Sequence, residues 1–240
     1  MGIYKDFADY YDDYMYDIDY TDWVYYLCRI SHIFSLDGVQ VLDMGCGTGS
    51  LAKAFALQGA CVTGVDNSEA MLRIAKKKCA GLWTPVQFHC ADIVEYQDSS
   101  AYRLINAACD TINYILNADM LYQLFQRVFS LLETGGYFTF DVLNPGYPKL
   151  LKNRKFITKQ YTYKFSSHLS KGGAYYTTVR IRKGFELCAQ EEHIQQLYSL
   201  DFLIALLNKI GFKKVDTYEF YTEKKAGKRS DKYQIICKKV

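Results

Sequence analysis

The chain has 240 residues, half of them hydrophobic, and 29 Lys and Arg against 26 Asp and Glu leave a net charge of +3. That length and apolar share support one sizeable core, or one domain with a large insertion. The weak positive balance argues against a dedicated phosphate-backbone binder without excluding nucleic acid, and no apolar run reaches the roughly eighteen residues of a membrane span.

In the first 34 residues, Phe7, Tyr10, Tyr11, Tyr14, Ile18, Trp23, Tyr26, Leu27 and Ile30 recur at helical spacing, which predicts two short helices. An alternation follows. VQVLDM (39–44) reads as a short buried strand, SLAKAFALQG (50–59) as a helix ending at Gly59, and ACVTGVD (60–66) as the next strand. SEAMLRIAKKKC (68–79) is a helix with Ser68 as its N-cap. VQFHCAD (86–92) and YRLINAAC (102–109) are strands, 118–134 is an amphipathic helix stopped by Gly135-Gly136, and YFTFDVL (137–143) is a fifth strand. Such alternation means βαβ units and a parallel sheet covered on both faces.

Segments 156–168 and 174–199 then alternate with period two and are rich in β-branched and aromatic residues, with KGG and RKG as turns. They predict a small antiparallel sheet inserted before a last helix, 200–211. Two final strands, 213–221 and 232–239, are joined by EKKAGKRSD, read as a solvated hairpin turn. The expected division is one domain from 1–144 and 200–240, with a helical N-terminal lid, and a β insertion at 145–199 that could contact substrate or make a homodimer surface.

The eight cysteines include no C-x-x-C pair, so neither a zinc site nor a redox dithiol is expected. They read as buried, reduced thiols of a cytoplasmic protein. His32 and His89, in apolar runs, read as structural, and no metal site is expected.

VLDMGCGTGS (41–50) carries the chemistry. A glycine loop between a first strand and helix brings backbone N–H groups close to a ligand at the carboxyl edge of the sheet. The dinucleotide fingerprint is G-x-G-x-x-G. Gly45, Gly47 and Gly49 are spaced one residue short of it, and Asp43 just before them would repel a pyrophosphate. A carboxylate there suits a ligand with positive charge and no phosphate, such as S-adenosylmethionine. Asp66 ends the second strand, where it can take both ribose hydroxyls. Asp92 ends the third, where it can accept from the adenine amino group, with the Ile93 N–H facing a ring nitrogen.

On these motifs the chain resembles the class I S-adenosylmethionine-dependent methyltransferases. VLDMGCGTGSLA, GVDNSEAML, CADI and LLETGGYFTFDVLN look like four successive motifs of that family. The resemblance implies a Rossmann-like α/β sheet of order 3-2-1-4-5-7-6. The opening YKDFADYYDDYM and the strand-rich insertion look more narrowly like the bacterial small-molecule subgroup, which includes glycine and amino-sugar N-methyltransferases. It implies cofactor contacts from Tyr4, Tyr11, Asp43, Gly45, Cys46, Gly47, Asp66, Asn67, Met71, Asp92, Ile93, Cys109 and Asp110. Asn113 and Tyr114 would face the acceptor, and His193, in QEEHIQQLY, would stand on a strand leading into the pocket. Where the subgroup's strand has Arg, this chain has Gln196, which would make an acidic acceptor less favoured. Asp141 and Asn144 are balanced between site and turn.

The expected activity is methyl transfer to nitrogen or oxygen of a small molecule by in-line displacement. Alternatives are an RNA or protein methyltransferase, although CDTINY lacks the prolines of base-modifying enzymes, and a non-catalytic cofactor-binding module. The glycine spacing disfavours a nicotinamide dehydrogenase.

Overall fold

The computed structural model describes residues 4–146 and 153–240. Residues 147–152 of the expected insertion lie outside the described residues. The helices are α1 (Ala8–Tyr14), α2 (Tyr20–Ile30), α3 (Ser50–Leu57), α4 (Glu69–Lys78), α5 (Ala118–Leu131) and α6 (Leu200–Ile210). The first sheet holds β1 (Gln40–Met44), β2 (Cys61–Asp66), β3 (Gln87–Cys90), β4 (Tyr102–Ala107), β5 (Leu132–Leu143), β10 (Lys213–Glu219) and β11 (Lys232–Lys238). The second holds β6 (Arg154–Ile157), β7 (Thr162–Leu169), β8 (Ala174–Lys183) and β9 (Glu186–Gln196).

The seven-stranded order is β10-β11-β5-β4-β1-β2-β3. With β10 and β11 as sixth and seventh strands, this is the expected 3-2-1-4-5-7-6. β1 to β5 pair in parallel, and β11 runs antiparallel to both β5 and β10. Side chains alternate across the sheet, so Leu42 and Met44 pack with α5 and α6 while Val41 packs with α2 and α3. Phe125, Phe138 and Phe140 fill the first core; Trp23, Leu27 and Phe55 fill the second. The Asp19 carboxylate accepts from the Thr21 and Asp22 N–H groups, and Ser68 Oγ accepts from Met71, so side chains satisfy the starts of α2 and α4.

Three boundaries differ from expectation. α5 ends at Leu131, and LETGG, expected to finish and stop that helix, already belongs to β5. Gly135 adopts φ +86° and donates to the Lys239 carbonyl, so the glycines bend a strand rather than end a helix. β4 stops at Ala107, because the next turn leaves extended geometry. β3 is a short edge strand, which leaves His89 and Cys90 exposed; His32 is exposed too. All eight cysteines are free thiols, but only Cys28, Cys46, Cys79 and Cys237 are fully buried. No helix among the described residues is long and apolar enough to cross a membrane.

The second sheet is an antiparallel meander in the order β6-β7-β8-β9. α1 covers one of its faces: Phe7 is buried with Tyr163, Phe165, Val179 and Ile181. The other side of α1 meets α4 through Asp9–Arg73 and Asp12–Lys78 ion pairs. The N-terminal segment thus joins the two sheets above the carboxyl ends of β1 and β4.

Candidate active site

The loop after β1 sets the first wall. Gly45 and Gly47 have φ of +72° and +53°, a region that costs other residues steric energy. The Gly45 and Cys46 N–H groups both donate to the Val65 carbonyl, at 2.7 and 3.0 Å. A Cβ on Gly45 would lie 2.6 Å from the Thr111 side chain, whereas a Cβ on Gly47 would meet nothing within 4 Å. The loop is therefore closed on one side and open on the other.

The open side faces a cavity of about 320 Å³ lined by Tyr4, Tyr11, Gly45, Gly47, Asp66, Asn67, Met71, Asp92, Ile93, Cys109 and Tyr114, together with Thr111, Ile115, Leu116 and Met120. Asp66 accepts from Gly47 N–H at 2.8 Å through Oδ2 and from Ser68 N–H at 2.9 Å through Oδ1. Burial pushes its carboxyl up, against the pull of those N–H groups. Asp92 Oδ1 accepts from Val94 N–H at 2.8 Å. The buried Ile93 N–H has no partner among the described residues.

Asp43 and Cys46 line a small separate space of about 40 Å³ beneath the loop, which shares Tyr11, Gly45, Gly47 and Cys109 with the large cavity. Asp43 Oδ1 accepts from Asn106 Nδ2 at 2.8 Å, and burial raises its carboxyl to about 7.

The second wall begins where β4 ends. Cys109 and Asp110 are both left-handed, at φ +57° and +51°. Such residues cost about 1–3 kcal/mol each and persist only when their surroundings hold them. Here Asp110 N–H donates to Asp141 Oδ2 at 3.0 Å, Lys232 Nζ donates to Asp110 Oδ1, and Gln195 Nε2 donates to Asp110 Oδ2 at 2.8 Å. Lys232 also meets Asp141 Oδ2 at 3.2 Å. Burial pushes the Asp110 carboxyl up, but the Lys232 ammonium, the Gln195 amide and the Arg154 guanidinium together outweigh it and the net shift is down. For Asp141, burial wins and the carboxyl rises.

The 3-10 turn Thr111–Tyr114 follows. Asn113 accepts from Leu143 N–H at 3.0 Å and donates to the Gln196 carbonyl at 2.8 Å. It is fully buried and lines none of the three cavities, so it staples the turn to β5 and β9 instead of facing an acceptor, a correction to the sequence expectation. The staple aims Tyr114, whose hydroxyl lies 2.7 Å from Tyr4 OH and 3.1 Å from His193 Nδ1. Both phenols are held neutral, chiefly by burial.

Beyond that chain lies a second cavity of about 200 Å³, lined by Phe7, Tyr14, Asp110, Arg154, Phe165, Tyr175, Thr177, His193, Gln195 and Lys232 among others. Tyr4, Tyr11, Cys109 and Tyr114 line both it and the 320 Å³ cavity. Asp110, expected beside the cofactor, thus faces the second cavity, where Lys232 and Gln195 occupy its carboxylate. Arg154 and Lys232 carried no sequence signal for the site, whereas Gln195 lies in QEEHIQQLY, the strand already singled out; the pairing of Lys232 with Leu143 brings Lys232 in. Asp141 joins the Lys232 cluster, while Asn144 donates to the Lys228 and Ser230 carbonyls and holds the closing loop. Gln196 lines neither cavity, and its Nε2 turns to the Leu197 carbonyl.

His193 is 6% exposed, and burial lowers its pKa to about 4 against a partial opposing pull from Asp110. The imidazole is therefore neutral near pH 7. Its ordinary pKa is 6.5, so the unfolded chain binds the proton first and acidification disfavours the fold. The contribution is fully present above pH 6.5 and falls by about 3 kcal/mol as pH drops to 4. Asp43 works in the opposite sense, because its raised carboxyl favours the fold at low pH and loses that advantage as pH rises from 3.8 towards 7. Melting temperatures of wild type and His193→Gln between pH 7 and pH 4.5 separate the two. The gap should shift in favour of His193→Gln as pH falls, and a constant gap would mean His193 titrates normally.

Comparison with known proteins finds a family for part of this region. Residues 41–136 match the model of a family described as a methyltransferase domain. A protein of Geobacillus sp. (strain WCH70) with a provisional methyltransferase name is 35% identical over 140 residues, covering 58% of this chain and 57% of that one. The chain thus matches little more than half the length of that relative. An S-adenosylmethionine-dependent methyltransferase from Clostridium acetobutylicum ATCC 824 superposes with a TM-score of 0.84 at 24% identity over 98% of both chains. An amino pentose methyltransferase from Micromonospora echinaspora, solved with S-adenosylmethionine bound, gives a TM-score of 0.72 at 14% identity over 93% of both. These structural likenesses establish the fold.

Proposed function

We propose that the chain, whose residues 41–136 match a methyltransferase domain and whose fold is that of a solved S-adenosylmethionine-dependent methyltransferase, transfers a methyl group from S-adenosylmethionine to a nitrogen or oxygen of a small molecule. The observation that carries this reading is the seam: a cofactor-sized cavity and a smaller aromatic one share Tyr4, Tyr11, Cys109 and Tyr114. An in-line displacement needs donor and acceptor on opposite sides of one narrow passage, held in a dry pocket. The amino pentose enzyme among its structural neighbours is consistent with a small acceptor.

The residues present fit the cofactor. Asp66 would take the ribose hydroxyls, Asp92 and the free Ile93 N–H the adenine edge, and the open face of Gly47 gives backbone access. Asp43 would stand near the ammonium end, and the neutral rings of Tyr4 and Tyr11 suit a neighbouring cation. When bound, the cofactor supplies a methyl carbon already activated by its sulfonium. The chain's task is then alignment and handling of one proton.

Tyr114 can orient the incoming nucleophile while His193 Nδ1 accepts from its hydroxyl. A base of pKa about 4 holds a proton poorly. It suffices for an oxygen nucleophile, whose proton becomes strongly acidic as the C–O bond forms, but an amine must arrive already neutral. Calorimetric titration with S-adenosylmethionine, S-adenosylhomocysteine and NAD tests the reading: micromolar binding of the first two is expected, and binding of NAD alone would overturn it. Tyr114→Phe is expected to lower kcat about 10- to 100-fold while changing cofactor Kd less than about twofold. An equal loss in both would put Tyr114 on the cofactor.

A further inference from the structure

We infer that the outer face of the second sheet, together with its β8–β9 turn, docks on an anionic lipid surface, with a basic ladder on the headgroups and Phe185 dipping between them. This face lies on the far side of the sheet from α1, and its cations and apolar side chains line neither the 320 Å³ nor the 200 Å³ cavity. The surface is therefore independent of the methyltransferase reading.

Strand register sorts the second sheet into two faces. Tyr163, Phe165, Val179 and Ile181 point inward against α1. On the opposite face Lys155 pairs with Lys164, and Lys164 with Arg180, so three cations stand directly across from one another on neighbouring strands. Like charges so placed repel and do not help the sheet fold. Arg182 lies one row further on, Lys183 follows it at the end of β8, and Lys159 sits in the turn between β6 and β7. None of these cations has an ion pair among the described residues. Arg180 donates to Gln190 Oε1 at 2.7 Å, and Arg182 to the Phe185 carbonyl at 2.9 Å. Between residues 153 and 196 the acids are Glu186, Glu191 and Glu192, and Glu191 is turned inward onto the Tyr4 and Phe7 N–H groups. The outer face therefore keeps a surplus of positive charge.

Apolar side chains gather at the end of the same face. Ile157, Thr162, Arg182 and Leu187 form its last cross-strand row, with Ile157 59% and Leu187 48% exposed. Beyond that row Gly184, at φ +59°, opens a two-residue turn whose second position is Phe185. The turn carries Phe185 past the sheet, where the side chain is fully exposed. An aromatic ring and two aliphatic side chains among unpaired cations match the chemistry of an interfacial site. There, apolar groups enter the headgroup boundary while basic groups attract anionic lipids. Other occupants of a basic sheet use less of the face. A single-stranded nucleic acid would meet the cations but leave Ile157 and Leu187 in water. A second copy of the chain would bring the ladder against its own charge.

Co-sedimentation of the full chain with lipid vesicles is the test. Vesicles of phosphatidylcholine with about 30% phosphatidylserine should retain the chain in about 0.05 M sodium chloride, and about 0.5 M salt should release it. Vesicles of phosphatidylcholine alone should not retain it. Lys164→Glu combined with Arg182→Glu should weaken binding to the anionic vesicles about tenfold or more, and Phe185→Ser about fivefold. Lys155→Glu, on the exposed edge strand, repeats the charge test without touching the inner strands. Equal retention on both vesicle types, no retention on either, or retention that survives the charge variants or Phe185→Ser would each overturn the assignment. Single-stranded poly(U) bound in place of vesicles would give the cations to nucleic acid. A dimer in solution that Phe185→Ser dissociates would give the face to a second copy. Either result also overturns it.

Discussion

Lys232→Met is expected to lower the unfolding free energy by about 3 kcal/mol, the low end of the usual cost of removing one partner from a buried ion pair, because the Lys232 and Asp110 side chains keep 24% and 22% of their surface exposed. The Lys232 ammonium sits between Asp110 and Asp141, and Asp141 is 1% exposed. Met fills similar volume but leaves the buried Asp141 carboxylate facing the half-buried Asp110 one. Asp141 can relieve part of the strain by taking up a proton, since burial already raises its carboxyl and its Oδ1 has no hydrogen-bond partner. That also keeps the loss at the low end. For a chain of this size, each kcal/mol moves the melting temperature by roughly 2–4 °C, so a fall of about 10 °C is expected. Adding Asp110→Asn removes one carboxylate and should recover much of the loss. A single variant that melts like wild type would show that the cluster contributes nothing. Because the same cluster holds the left-handed Cys109–Asp110 turn, amide exchange should also quicken across 109–114 in the single variant.

That cluster also shows where reading from sequence alone stops. The parallel core was legible because βαβ units are local: apolar strand, glycine loop and amphipathic helix follow one another within about thirty residues. Gly45, Gly47, Asp66 and Asp92, which line the 320 Å³ cavity, are legible for the same reason, as they sit at strand ends whose positions the alternation gives. The Arg154 and Lys232 contacts are not local. Arg154 enters because α1 and the second sheet close over the loop after β4, and Lys232 because the final strand returns beside β5. Asn113 was misplaced for a related reason. A polar residue at a strand end looks like a site residue until the buried backbone groups it must satisfy, here at Leu143 and Gln196, are known. Gly135-Gly136 misled because a glycine pair stops a helix and bulges a strand with equal ease, and only the pairing with β4 and β11 decides which.

Asp66→Ala is expected to raise the Kd for S-adenosylhomocysteine roughly 10- to 100-fold, from the loss of hydrogen bonds to a charged acceptor worth about 1.5–3 kcal/mol. Two effects combine. An ionised carboxylate has about four acceptor positions, and in this structure Gly47 and Ser68 N–H groups fill two. The remaining two can receive a vicinal diol without surrendering the loop. Alanine therefore removes both the ligand contact and the pin that holds Gly47 open to the cavity. Asp66→Asn separates them: the amide oxygen can keep one backbone N–H, but the charge is gone, so its affinity should fall between wild type and alanine. Fold stability should change less than affinity, because the Gly47 N–H released at the cavity edge can be met by water, and the folded variant no longer holds a carboxylate that burial disfavours. Calorimetry and melting curves on the three proteins read both quantities. Unchanged affinity in Asp66→Ala would remove this residue from the cofactor site. Equal affinity in the Ala and Asn variants, both weakened, would mean that the carboxylate charge facing the diol, rather than the pinned loop, sets the binding energy.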